Sequence, residues 1–103
     1  MTYRLPTSVT ILGVRVPVLL RDDMEPTTFG EWHSGDLSIS INMVCPDEHQ
    51  RVVLIHEILH ALDDFLDLGL SHKNIYGLSQ AFFALIRANP DLIFYTVDGP
   101  EES

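Results

Sequence analysis

The chain has 103 residues, 46% of them hydrophobic and 20% charged, the composition of one soluble globular domain with little room for a separate module. Its formal net charge of −9, from 6 Lys and Arg against 15 Asp and Glu, argues against a direct grip on nucleic acid, which needs cationic side chains facing phosphates. No apolar run approaches the roughly eighteen residues of a membrane span, and Cys45, the single cysteine, has no partner for an intramolecular disulfide. We therefore expect one domain over residues 1–103. The opening Met1-Thr2-Tyr3-Arg4-Leu5-Pro6 lacks the apolar core of a signal peptide, so the expected location is the cytoplasm.

In chain order, Ser8 to Leu20 is rich in β-branched residues and is interrupted at Gly13 and Pro17. It predicts either one bulged strand or two short strands meeting at Gly13. Arg21 to Phe29 has turn composition without periodicity and predicts a loop. Glu31-Trp32-His33, the turn Ser34-Gly35-Asp36, then Leu37 to Ile41 predict a hairpin. In it Leu37, Ile39 and Ile41 should face one way, and Ser38 and Ser40 the other.

A helix of about twenty residues is expected from Asp47 to Leu68, with Val52, Ile55, Ile58, Leu59, Leu62 and Leu66 at helical spacing and Gly69 as its stop signal. Ser71 caps a second helix running to Asn89 before Pro90, with an apolar face of Ile75, Leu78, Phe82, Leu85 and Ile86. The short connection makes the two helices antiparallel neighbours. Asp91 to Val97 reads as a last helical turn or an extended segment, and Asp98 to Ser103 as a frayed tail. The fold class is α+β, a small antiparallel or mixed sheet packed on the first helix and on the second.

The first helix carries His56-Glu57-Ile58-Leu59-His60. HExxH on a helix sets two imidazoles about 40° apart and one turn along, so both can reach one ion, while the Glu lies about 100° round, beside a coordinated water. The roles that follow are Zn2+ ligands for His56 and His60 and general base for Glu57. A catalytic zinc site needs a third donor. The residues after His60 lack the Gly and His of the metzincin continuation, and no Glu lies between Glu57 and Glu101 to serve as in the gluzincins.

His72, opening the second helix at the edge of its apolar face, is the expected third ligand. Asp63, on the same side of the first helix as the two histidines, is the alternative, with a second possible role as acceptor of an imidazole N–H. Tyr76, one turn beyond His72, is placed either to stabilise an oxyanion or as a core aromatic. His33 and His49 have surface positions as their plainest reading. The expected activity is zinc-dependent hydrolysis of a peptide bond. The competing reading is a catalytically idle metal-binding protein that uses the scaffold to hold a regulatory partner, against which an intact Glu57 argues.

From Gly30 to Leu92 the chain resembles the small ImmA/IrrE-like zincins, including stand-alone phage-type members. The resemblance rests on Gly30-Glu31-Trp32, the strand Leu37-Ser38-Ile39-Ser40-Ile41, the run Val53 to Leu62 around the motif, and the helix with Leu78-Ser79 that ends at Asn89-Pro90. It implies a minimal zincin-like metallopeptidase. Its strand before the motif helix, here Leu37–Ile41, would pair with an extended peptide. It also implies a phage or host regulatory protein as substrate. Members often carry a Glu where this chain has His72, a replacement that keeps a good zinc donor.

Overall fold

The computed structural model describes residues 3–98. Four strands, β1 (Ser8–Ile11), β2 (Val14–Arg21), β3 (Gly30–His33) and β4 (Ser38–Asn42), precede three helices, α1 (Asp47–Leu66), α2 (His72–Ala88) and α3 (Pro90–Asp98). The molecule is α+β, with one mixed sheet in the order β1-β2-β4-β3. No helix among the described residues is long and apolar enough to cross a membrane.

The β-branched N-terminal run forms two strands, the second of the two expected arrangements. Ile11 pairs with Val14, and the two residues between them, Leu12 and Gly13, have φ of 50° and 84°. Two positive φ values in a two-residue loop match the right-handed twist of a hairpin. Pro17, whose missing N–H is tolerated at few ladder positions, lies opposite Ser8 of edge strand β1.

β4 differs from expectation. Leu37 sits in the turn with φ 55° and is exposed, so the strand starts at Ser38 and Leu37 does not share a face with Ile39 and Ile41. β4 is also not an edge. It runs antiparallel to β3 on one side and parallel to β2 on the other, through Val18↔Ile39 to Arg21↔Asn42. Both of its backbone edges are consumed, so an extended peptide cannot add to Leu37–Ile41. The free edge on this side of the sheet belongs to β3.

All five β4 residues are buried. Ile39 and Ile41 join Val16, Val18, Val53 and Ala61 in the core between sheet and α1. Burial of each such aliphatic side chain contributes about 1.5–3 kcal/mol. Ser40 is buried as well, its hydroxyl paired with His33 Nε2 at 2.8 Å, which meets the demand of a buried polar group.

α1 ends two residues before the expected boundary. Asp67, not Gly69, is the left-handed cap (φ 51°), and the N–H of Leu68 donates to the Asp63 carbonyl at 3.1 Å. Gly69 (φ 72°) bends the chain within the connection that follows. α2 starts as expected with a capping box: Ser71 Oγ accepts from Asn74 N at 3.0 Å, and Asn74 Oδ1 accepts from Ser71 N at 3.2 Å. Arg87 near the end of α2 bonds Glu48 in the first turn of α1 at 2.6 Å, so the helices are antiparallel. Asp91–Val97 is helical, lying inside α3. The expected tail falls, apart from Asp98, outside the described residues.

Candidate metal centre

α1 crosses the sheet close to β3, and Gly30 is what permits the approach. A Cβ added there would stand 2.6 Å from Val53 Cγ1, closer than side chains approach, and a tight 3.0 Å from Glu57 Oε2. Glu57 is consequently wedged between α1 and the β3 backbone, only 5% exposed. Burial, reinforced by the nearby Glu31 carboxylate and opposed by a Trp32 backbone N–H, pushes its carboxyl up to about 7. An acid poised near neutrality can take up or release a proton there.

His56 and His60 project from successive turns of α1, and their Nε2 atoms stand 3.2 Å apart. Zinc–imidazole bonds of about 2.0–2.1 Å in tetrahedral array place two nitrogens about 3.3–3.4 Å from each other. His72, set at the first position of α2 by the Ser71 cap, completes a cluster whose ligating atoms all lie within 4.8 Å of one another. Desolvation and the neighbouring histidines lower the pKa of both His56 and His60, the latter with a smaller opposing pull from Asp63. Both are thereby biased to the neutral form that a metal requires.

The tautomer of His56 is also arranged. Its Nδ1 lies 3.3 Å from Ser79 Oγ, and that hydroxyl donates to the Tyr76 carbonyl at 2.8 Å. With its proton committed, Ser79 offers His56 a lone pair, so Nδ1 carries the hydrogen and Nε2 faces the cluster. Ser79 is fully buried. The sequence alone marks Ser79 with no role in the site; its one signal is a hydroxyl within the apolar stripe of α2, one turn past Ile75.

The other candidates separate cleanly. Asp63 does not join the cluster: its Oδ1 accepts from Leu70 N at 2.9 Å, fixing the α1–α2 connection instead. Tyr76 lines the cleft, its ring 6.5 Å from that of His56, and is exposed rather than a core aromatic. His33 faces Ser40 and Glu31, away from the cluster. His49 meets Phe29 at a tilt, with ring centroids 4.9 Å apart, and both reach the cleft, where the plainest reading of the sequence has His49 on the surface.

The cleft is about 530 Å3. One wall is the segment Thr27–Trp32, leading into and including most of β3; the floor is α1; the other wall is the first half of α2. The three histidines and Glu57 open into it. Comparison with known protein families, with curated proteins and with solved structures finds no match to this chain.

Proposed function

We propose that this chain is a minimal zinc metallopeptidase of the ImmA/IrrE-like kind, in which His56, His60 and His72 hold Zn2+ and Glu57 is the general base. The observation that carries the reading is the convergence of three imidazoles within 4.8 Å beside a buried carboxyl poised near neutrality, at the floor of one cleft. Zinc, when bound, supplies Lewis acidity that acidifies water and polarises a carbonyl. Glu57 accepts the proton of the attacking water and delivers it to the leaving amine nitrogen. The Tyr76 hydroxyl, at the cleft wall, donates to the oxygen on which negative charge develops.

The substrate is an extended segment of protein, laid against the free edge of β3 rather than β4, which brings its backbone along the cleft wall. A regulatory protein of a phage or its host, met in the cytoplasm, is the substrate class the family resemblance favours. Two measurements test the reading. Metal analysis of the purified protein should return one zinc per chain, falling sharply in His72→Ala. Glu57→Gln should retain the metal and lose proteolysis by about 100-fold or more. Zinc-free wild-type protein, or an unaltered cleavage rate in Glu57→Gln, would remove the proposal.

A further inference from the structure

Catalysis as proposed engages the three histidines, Glu57 and Tyr76, and leaves the end of the cleft nearest the start of α1 without a task. His49, Val52 and His56 follow one line of that helix and all open into the cleft. At 1.5 Å per residue, Val52 lies about 6 Å and His49 about 10 Å from His56 along the axis. Phe29, on the wall leading into β3, meets His49 at a tilt of 59° and is 40% exposed, an aromatic ring left partly in water inside a cleft. Val52, all but buried, adds an aliphatic surface to the same end. The backbone of Phe29 and the ring of His49 are both braced by buried groups. The Phe29 carbonyl accepts from Asn42 N at 2.9 Å, and the Thr28 carbonyl accepts from Asn42 Nδ2 at 2.8 Å. Buried Cys45 sets its Sγ 3.9 Å from His49 Nδ1. Walls fixed before a ligand arrives lose little freedom when it binds.

We infer that Phe29, His49 and Val52 form a subsite for a large apolar side chain of the substrate, aromatic by preference, beside the bond that is cut, an inference that rests on the peptidase reading and adds a substrate class to it. Reach supports it. Alternate side chains of an extended peptide stand about 7 Å apart, so a residue next to a carbonyl held at the histidines brings its side chain level with Val52. Chemistry favours a ring. Phe29 and His49 already meet in the inclined geometry that aromatic pairs prefer, and a third ring set against them covers the exposed part of Phe29. Among the described residues that line the cleft there is no lysine or arginine, so an acidic side chain would enter without an opposite charge. None of the three subsite residues carries a carboxylate to hold a basic one.

Hydroxamates separate the subsite from the chemistry, because a hydroxamate chelates zinc whether or not the protein cleaves anything. The zinc-loaded protein is titrated calorimetrically with acetohydroxamate, with hydrocinnamoyl hydroxamate, which adds a phenyl ring, and with the monohydroxamate of succinate, which adds a carboxylate. The phenyl compound should bind about 10- to 100-fold more tightly than acetohydroxamate, and the succinate compound no more tightly. Phe29→Ala should shrink the phenyl preference to under about 3-fold. Phe29→Leu, which keeps an apolar wall, should retain most of it, and Leu19→Ala, on exposed β2, all of it. Zinc per chain, measured on each sample, reports whether a variant keeps its site, and the wild-type preference needs no variant at all. Equal affinity for the methyl and phenyl compounds, tighter binding of the carboxylate compound, or a phenyl preference that survives Phe29→Ala overturns the subsite and leaves the zinc site standing. Failure of every hydroxamate to bind removes the zinc site and the subsite with it. A phenyl preference in a protein that cleaves no peptide keeps the subsite and removes the peptidase.

Discussion

Glu57→Gln separates the cost of the buried acid from every other titration in the molecule. In the metal-free protein the Glu57 carboxyl is raised from 4.5 to about 7 by burial. Between those values the folded state holds a proton that the unfolded chain has released. Stability from this group is therefore full below pH 4.5 and is lost as pH rises toward 7 and beyond. A rise of that size corresponds to roughly 3 kcal/mol once both states are ionised. His56 and His60, whose folded pKa values are lowered, act in the opposite sense, withdrawing stability as pH falls below the imidazole range. Glu57 is not among the causes of either histidine's shift, so to first order their contributions cancel in the difference. The stability of Glu57→Gln minus that of wild type should climb by roughly 3 kcal/mol between pH 4.5 and 8. Urea unfolding in chelator, followed by circular dichroism at a series of pH values, measures it directly. A difference that stays flat across that range would refute the burial of an ionisable Glu57 against β3.

Three further outcomes follow from the geometry. Ser79→Ala should lower zinc affinity about 10- to 100-fold by releasing the His56 tautomer, read by competition with a chromogenic chelator, while leaving the fold intact by circular dichroism. Gly30→Ala should cost about 1–3 kcal/mol in urea unfolding, since the new methyl displaces Val53 and Glu57; an unchanged midpoint would contradict the contact. Leu12→Asn should stabilise by about 1 kcal/mol and raise the melting temperature by several degrees, because Leu12 is exposed and holds a φ of 50° that asparagine adopts more readily.

The helices and the three clustered histidines are legible because their signals are local. Ser71 with Asn74 fixes where α2 begins, and that boundary places His72 beside the α1 histidines across a connection only a few residues long. The sheet was less legible because pairing is not local. Ile39 and Ile41 alternating with Ser38 and Ser40 read as a half-buried strand, but both serines are buried, satisfied by Asp36 and His33. Nothing within Val14–Arg21 announces that it runs parallel to β4, and that pairing is what removes β4 from the edge. Asp63 was a plausible ligand by angle alone; the Leu70 amide that claims its carboxylate became visible only with the connection's path. Gly30 stands out in the sequence only within Gly30-Glu31-Trp32, because the close approach of Val53 and Glu57 that calls for a glycine there is itself non-local.

The parallel ladder between β2 and β4 is the contact that joins two otherwise local hairpins. Each hairpin, β1–β2 and β3–β4, closes over a short turn and can form on the microsecond scale from neighbouring residues. Their union needs Val18–Arg21 to meet Ile39–Asn42 across some twenty residues of intervening chain, with β3 carried past to the outside. Asn42 then fastens the crossing segment, its Nδ2 donating to the carbonyls of Glu25 at 3.0 Å and Thr28 at 2.8 Å. Docking of the hairpins is accordingly the non-local, loop-closing step, and the cleft wall beside the histidines is whole only when it is made.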